Sequence, residues 1–308
     1  MIEDKVLYKI AKHYYEDELN IQEISKLFKI SIATVSRLLK KARDKRIVEI
    51  KINPLKEDSD EIEDAIEKKY GLREVYVVSA MSGQDDMYAE AASIVSDILE
   101  RLTKENTYVG VSWGETEMKL FDSVKVEKKL GINIVPIIGG LGTIETGVFT
   151  NAIAKKVADK FHGKSHLINF PAVLDSESTK SIIEKDSNTT RIFKLWQKLK
   201  IAMVGVGDLS QESSLRKYGI FSEAELESLR SCGAIGEVNV NCLDKDGRFV
   251  INDINKRMIL LSLAQLKEIE TVILFTFGTT KEKGTKAVLR SKVADIFITD
   301  MDSAELLI

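Results

Sequence analysis

The sequence contains few of the residues that mark disordered, secreted or metal-binding chains. Only three prolines and no low-complexity tract occur in its 308 residues, which argues against long disordered segments. No apolar run approaches the ~18 residues of a membrane span, and the N-terminus lacks the form of a signal peptide. With 44% hydrophobic and 30% charged residues, the composition predicts a globular, cytoplasmic protein that makes no contact with membranes.

Cysteine is also scarce. The two cysteines, Cys232 and Cys242, have no histidine near them in the sequence, so their spacing does not make a metal site. We expect both thiols to be reduced and buried. No motif indicates a bound metal ion or a cofactor, and neither is predicted.

Charge is unevenly distributed along the chain. Residues 1–53 carry 12 basic and 8 acidic residues, a net charge of +4, whereas the remainder carries −7. A basic head on an acidic body predicts that the protein meets nucleic acid through its head alone. Because the excess is modest, a single head would bind weakly, and two or more heads on one DNA would add their phosphate contacts.

Residues 19–53 show the pattern of a helix-turn-helix followed by a short strand. The second helix has apolar residues at i, i+3, i+4 and i+7, namely Val35, Leu38, Leu39 and Ala42. Ser31 stands at its start, where a hydroxyl can accept a hydrogen bond from a free backbone N–H. A shorter helix precedes it, with the apolar set Ile21, Ile24, Leu27 and Phe28. Residues 29–31 join the two, a connection length typical of helix-turn-helix units.

The polar residues of the second helix suit contact with the major groove of DNA. Outside the apolar stripe lie Thr34, Ser36, Arg37, Lys40 and Lys41. With Ser31, the hydroxyls and the guanidinium can reach base edges or phosphates, and the lysines neutralise phosphate charge. The alternative is an ordinary helical hairpin with a solvated basic face. Pattern, cap and charge agree in favour of operator DNA as a partner.

The rest of the first domain follows from the same kinds of pattern. Residues 3–16 are predicted to form a helix with the apolar stripe Val6, Leu7, Ile10, Ala11 and Tyr14. Residues 48–52 alternate between apolar and charged side chains, which predicts a strand or wing. Asn53–Pro54 then ends regular structure. We therefore assign residues 1–53 to a DNA-binding domain and residues 54–308 to a second domain.

In the second domain, strands and helices alternate. Apolar strands are predicted at 75–79, 107–112, 132–138, 165–170, 201–207, 271–277 and 294–299. Helices are predicted at 58–70, 89–102, 151–161, 222–231 and 283–291, the first of them ending at Gly71. An extended run over 234–244 leads to a turn at Asp246–Gly247. This alternation predicts a parallel sheet covered on both faces, a doubly wound α/β domain.

Ligands of such domains bind at the carboxyl ends of the strands, and four loops there are rich in glycine and hydroxyl groups. Their candidate residues are Ser112, Trp113, Gly114 and Thr116, then Gly139, Gly140 and Thr143, then Asp208, and finally Lys281. Backbone N–H groups, hydroxyls, helix N-termini and a lysine together suit an anion. Taken alone, each loop is more often a plain turn, but the four loops together predict a site for a small phosphorylated ligand.

The motifs, in their order, resemble the SorC family of bacterial sugar-responsive transcription regulators, sometimes grouped with DeoR-like proteins. They are IQEISKLFKISIATVSRLLKKARDKRIVEIKINP, GVSWGET, PIIGG, MVGVGD, AIGEVNVNCLDKDG and FGTTKEKGTKAVLRSKVADIFITDMDSA. The resemblance implies a DNA-binding head and a body like glucosamine-6-phosphate deaminase in fold that serves as a sensor. It also implies a phosphorylated sugar as effector and a homodimer or homotetramer.

The resemblance also assigns individual residues. Gln22 opens the helix that precedes the recognition helix, and Asn151 corresponds to a helix-opening asparagine of the effector domain. Lys281 matches the lysine that ends a Gly-Gly-x-x-Lys pattern, in which Phe277 here replaces the first glycine. Ile138 stands where some members carry a lysine that traps an aldehyde sugar, so reversible binding is expected. The sequence does not determine whether the ligand releases the DNA or promotes its binding, and release from a repressed operator is the favoured expectation.

Two other functions compete with the regulator. An aldose–ketose isomerase would need a general base, and the candidates are Asp175, Glu177, Asp208, His162 and His166. None of them stands in a recognisable catalytic run, and an enzyme has no need of residues 1–53, so we expect no enzymatic activity. A pure interaction module is disfavoured by the four convergent loops.

Overall fold

The computed structural model describes residues 2–50, 59–79, 83–125, 129–140 and 149–308. The chain divides into two compact units, residues 1–57 and 58–308. The predicted boundary at Asn53–Pro54 lies outside the described residues. Within them, no helix has the length and apolar character needed to cross a membrane.

The first unit is built from three helices that form where the sequence predicts them. They are α1 (Ile2–Tyr15), α2 (Ile21–Phe28) and α3 (Ile32–Asp44). Their buried residues form one core: Leu7, Ile10, Ala11, Ile24, Val35, Leu39 and Ala42. Two residues predicted to be buried are not, since Val6 is 38% and Leu27 is 56% exposed. Residues 48–50 form no strand, which contradicts the predicted wing as far as the chain is described.

The second unit begins with α4 (Asp60–Tyr70), β1 (Glu74–Val78), α5 (Gln84–Leu102), β2 (Tyr108–Val111), α6 (Glu115–Asp122), β3 (Asn133–Pro136), α7 (Thr150–Lys160) and β4 (Lys164–Ser165). It continues with α8 (Glu177–Glu184), α9 (Ser187–Trp196), β5 (Leu199–Asp208), α10 (Ser214–Lys217), α11 (Glu223–Ser231), β6 (Gly236–Val238) and β7 (Asn241–Leu243). It ends with α12 (Leu263–Lys267), β8 (Thr271–Thr276), α13 (Glu282–Arg290), β9 (Ile296–Asp300) and α14 (Met301–Glu305). Two 3-10 helices span Asp253–Arg257 and Thr279–Lys281.

Seven strands form a parallel sheet in the order β1-β9-β8-β5-β2-β3-β4. Alternate residues of the central strand β5 enter two separate cores, Ile201 and Met203 on one face and Ala202 and Val204 on the other. Helices α5, α6 and α7 cover the first face, and α4, α9 and α13 cover the second. The predicted doubly wound α/β fold is confirmed.

Several elements differ from the prediction. The strand predicted over 165–170 shrinks to the two residues of β4, and α6, α8 and α9 were not predicted. The run 234–244 contains a hairpin, β6–β7, which turns at Asn239 and Val240 with positive φ angles of 49° and 60°. A β-branched residue is disfavoured at such an angle, so the sequence carries no usual hairpin signal here. Cys232 is exposed rather than buried, whereas Cys242 is buried as expected.

Candidate functional site

The residues predicted to contact DNA lie on the surface of the first unit. Gln22, Ser31, Ser36, Arg37 and Lys41 are exposed, and Thr34 is half-buried. The Ser31 hydroxyl caps α3 by accepting from the Thr34 backbone N–H at 3.1 Å, and the two side-chain hydroxyls lie 2.8 Å apart. These two hydroxyls therefore position the start of α3, and the candidates Ser36, Arg37 and Lys41 are among its exposed polar side chains.

Ile32, the first residue of α3, was not among the residues that the sequence predicted to contact DNA. It is 50% exposed although it is apolar. An exposed apolar side chain at the start of a recognition helix suits contact with a thymine methyl group in the major groove. Its position directly after the N-cap serine is the sequence signal that could have identified it.

A cavity of about 620 Å³ lies at the carboxyl ends of β2 and β5 in the second unit. The predicted effector residues that line it are Ser112, Trp113, Gly114, Thr116, Asp208 and Lys281. They come from three separate loops, which the parallel sheet brings to one edge. Six of the ten candidates are thus placed together.

The remaining candidates have other positions. Gly139 and Gly140 do not line the cavity; their backbone N–H groups donate to the carbonyl oxygens of Ile259 and Phe170 at 3.0 and 2.8 Å. A Cβ on Gly139 would lie 2.6 Å from the backbone nitrogen of Ala172, so glycine is needed there for close packing. Contact between these two glycines and the effector stays a prediction.

Asn151 also makes contacts within the fold. Its amide pairs with the backbone of Ile168, accepting at 2.9 Å and donating at 2.8 Å. This pair of hydrogen bonds accounts for an asparagine at the start of α7, and contact between Asn151 and the effector stays a prediction. Thr143 lies outside the described residues.

Glu117 is the most unusual residue of the cavity, and it was not a candidate. It is the third residue of α6 and is 2% exposed. Its carboxylate lies over Gly114, the N-cap of α6, and accepts a hydrogen bond from the Gly205 backbone N–H at 2.9 Å. Burial raises the pKa of Glu117 to about 8, because the nearby N–H donors and Lys281 offset only part of the desolvation.

A second buried carboxyl group, that of Glu237, lines the same cavity and was also missed. It accepts from the backbone N–H of Val240, and so supports the strained turn of the β6–β7 hairpin. Burial raises the pKa of Glu237 to about 7, against the opposing influence of the Val240 N–H and of Lys281. An acid within the apolar run 234–244 is the signal that could have revealed it.

A buried amide joins this hairpin to the first loop. Asn239 accepts from the Ser112 hydroxyl at 2.8 Å and donates to the carbonyl oxygens of Ile137 and Leu261 at 3.2 and 3.1 Å. The Ser112 hydroxyl is therefore held in a defined orientation at the cavity wall. Its role in ligand contact stays a prediction.

The segment that follows β5 is tied to the start of α6. The Glu115 carboxylate accepts hydrogen bonds from Lys217 and from the Tyr218 hydroxyl. The Tyr218 ring meets Trp113 edge-on, with centroids 6.3 Å apart. These contacts hold residues 209–218 at the mouth of the cavity.

Of the candidate bases, only Asp208 lines the cavity. His166 lines a different cavity, between residues 165–171 and the α8–α9 pair, and its Nε2 lies 3.1 Å from the Asn133 amide oxygen. Asp175, Glu177 and His162 line neither. Among the described residues, no group of three or more acidic, cysteine or histidine side chains is placed to hold a metal ion.

An exposed basic helix in one unit and a polar cavity at the sheet edge of the other are the arrangement expected of a ligand-responsive transcription regulator. The family model described as "Putative sugar-binding domain" matches residues 56–308. The chain is 28% identical over 299 residues to the deoxyribonucleoside regulator of Bacillus subtilis, covering 97% of this chain and 95% of that protein.

A second relative, the sorbitol operon regulator of Klebsiella pneumoniae, is 26% identical over 307 residues, which cover 99% of this chain and 98% of that protein. The crystal structure of that full-length regulator, SorC, matches with a TM-score of 0.75 over 98% of each chain. The chain belongs to this sugar-binding domain family of SorC-like transcriptional regulators.

Proposed function

We propose that this protein is a repressor that binds operator DNA through α3 and is released by a phosphorylated sugar bound in the cavity of its second unit. The observation that carries the proposal is the polar cavity of about 620 Å³ at the carboxyl edge of a parallel sheet, in a chain whose other unit exposes a basic helix. That volume lies within the range of about 300–1,000 Å³ typical of small-molecule sites.

Several features support a sugar phosphate as the effector. Lys281 and Thr280 stand at the start of α13 and supply a cation and a hydroxyl to one side of the cavity. Ser213 and Ser214 also line the cavity and add hydroxyls that can form hydrogen bonds with the hydroxyl groups of a sugar. Two relatives are named the deoxyribonucleoside regulator and the sorbitol operon regulator, and both names refer to sugar-related compounds.

We further propose a cytoplasmic homodimer or homotetramer that places two or more α3 helices on repeated half-sites. The modest charge of each head supports shared binding. The effector would then change DNA affinity by binding one arrangement of subunits more tightly than the other.

The test combines a ligand screen with DNA binding. Thermal-shift measurements with a panel of sugar phosphates identify ligands that raise the melting temperature of the full-length protein. Fluorescence anisotropy then measures affinity for DNA from upstream of its own gene, with and without the ligand. We expect a ligand that lowers DNA affinity; if no phosphorylated sugar raises the melting temperature, the sensor proposal is wrong.

A second candidate function, aldose–ketose isomerisation, is favoured by one observation. Glu117 and Glu237 are buried acids in the cavity with raised pKa values, which is typical of general acid–base groups. Incubating the protein with a bound sugar phosphate in deuterated water tests this, since isomerisation would exchange the C2 proton. We expect no exchange above that of the Glu237→Gln variant.

A further inference from the structure

The charges lining the cavity are unusual for an anion site. Five carboxylates line it, those of Glu115, Glu117, Asp208, Glu212 and Glu237, against the single cation of Lys281 among the lining residues that are described. Only Glu115 is paired with a lysine, Lys217, from outside the lining. A ligand whose only charge is a phosphate would therefore enter a site that has more acidic groups than basic ones.

The two buried acids are placed by the backbone of β5. A Cβ on Gly205 would lie 2.9 Å from Oε1 of Glu117, and a Cβ on Gly207 would lie 1.9 Å from Oε1 of Glu237. The two glycines are alternate residues of one strand, so both carboxyl groups occupy the same face of β5. Gly207 and Glu237 are also directly paired between β5 and β6.

Two carboxyl groups that lie on one face of a strand and line one cavity form a site for one cation. An ammonium group has three N–H donors, so one that lies between them can donate a charge-assisted hydrogen bond to each. Both groups are within the cavity lining and nearly inaccessible to solvent, at 2% and 5% exposure. Buried carboxylates need an opposite charge or a proton, and Lys281 alone cannot neutralise both.

We propose that the effector carries an amine as well as its phosphate, as an amino sugar phosphate does. The ammonium lies between the carboxylates of Glu117 and Glu237, and the phosphate lies beside Lys281. This inference rests on the proposed function and deepens it by naming the class of ligand. The competing arrangement is a neutral sugar ring, whose hydroxyls would meet protonated carboxyl groups at the same positions.

Matched ligand pairs distinguish these arrangements. Isothermal titration of the full-length protein compares the 6-phosphates of glucosamine, galactosamine and mannosamine with those of glucose, galactose and mannose. We expect at least one amino sugar phosphate to bind about tenfold or more tightly than its hydroxyl counterpart, equivalent to about 1.4 kcal/mol. Equal or weaker binding of the amine in every pair, or binding only by amine-free sugar phosphates, overturns the inference and leaves the proposed function standing.

The Glu237→Gln variant tests the placement of the amine. Glutamine keeps the shape and an acceptor for the Val240 N–H, but removes the charge, so the preference for the amine is expected to fall below about threefold. Glu305→Gln, an exposed acid of α14, is the matched control and keeps the full preference. If Glu237→Gln and Glu117→Gln both retain the preference, the amine lies elsewhere and the inference is wrong. Failure of every phosphorylated sugar to bind would instead overturn the proposed function, and this inference with it.

Discussion

The Glu117 carboxylate accepts a hydrogen bond from the backbone N–H of Gly205 at 2.9 Å, across 88 positions of sequence. This bond joins the N-terminus of α6 to the end of the central strand β5. It also places an acidic side chain at the N-terminus of α6, where an anionic ligand would otherwise be favoured. The phosphate of the proposed effector is therefore expected at Lys281, the one cation among the described residues of the cavity lining.

Gly205→Ala should destabilise the protein. The added Cβ would lie 2.9 Å from Oε1 and 3.2 Å from Cδ of Glu117, so the carboxylate must move. We expect a loss of about 1–3 kcal/mol in the free energy of unfolding, as for other overpacked interiors, measured by urea denaturation. The Glu117→Ala background supplies the control, because Gly205→Ala should cost much less there. Equal costs in both backgrounds would show that the two residues do not interact.

Stability should decrease with pH between about pH 5 and pH 8. A glutamate of the unfolded chain has the ordinary pKa of 4.5, whereas in the folded state the pKa is about 7 for Glu237 and about 8 for Glu117. Between these values each acid is protonated in the folded state and ionised in the unfolded chain. Over its range, each should lower the free energy of unfolding by about 1.4 kcal/mol per pH unit.

Urea denaturation at pH 5, 6, 7 and 8 measures this slope. The double variant Glu117→Gln/Glu237→Gln should show a flatter profile, because neither amide titrates. Glu74 and Glu115 have lowered pKa values, so their contribution to stability is complete above about pH 4.5 and is lost only below it, as they are protonated. A wild-type profile as flat as that of the double variant would contradict the raised pKa values.

Arg37→Ala should weaken operator binding without changing effector affinity. Arg37 is exposed on α3, and loss of one arginine contact with DNA costs about 1–3 kcal/mol. Fluorescence anisotropy at several salt concentrations measures the change, and isothermal titration checks effector binding. Lys12→Ala, which removes an exposed cation from α1, is the control and should bind nearly as well as wild type. Similar losses of DNA affinity in both variants would indicate a general effect of charge and would contradict a specific contact between α3 and the operator.

Lys281→Ala should strongly weaken the effector response and keep basal DNA binding. Lys281 lines the cavity, whereas Lys283, two residues further along, is exposed outside it. Removing the cation that faces the phosphate is expected to weaken effector binding about tenfold or more, since charge-assisted bonds to phosphate are the strong ones. The measurement is the effector concentration that releases half of the bound DNA. A normal response in Lys281→Ala, or an equal loss in Lys283→Ala, would place the phosphate elsewhere.

Local patterns were sufficient to predict most of the fold. The i, i+3, i+4 spacing that ends at Ala42, the serine cap at Ser31 and the glycine stop at Gly71 each act within a few residues, so they are readable without tertiary contacts. The apolar runs of β5, β8 and β9 likewise predict a buried parallel sheet. The predictions failed where a segment contains no such local signal, as at the Asn239–Val240 turn and in the short edge strand β4.

The sequence by itself determined a basic three-helix head, an α/β body and the loops at one edge of the sheet, because these depend on periodicity and on strand order. Only the tertiary structure decided which of those loops share a cavity, and that Glu117 and Glu237 face it. Burial of these carboxyl groups depends on residues that are distant in sequence, because Gly205 and Gly207 have no side chains and so leave room for them. The local sequence of α6 or β6 contains no sign of those glycines. The charge pattern proposed to recognise the effector therefore became visible only in the folded chain.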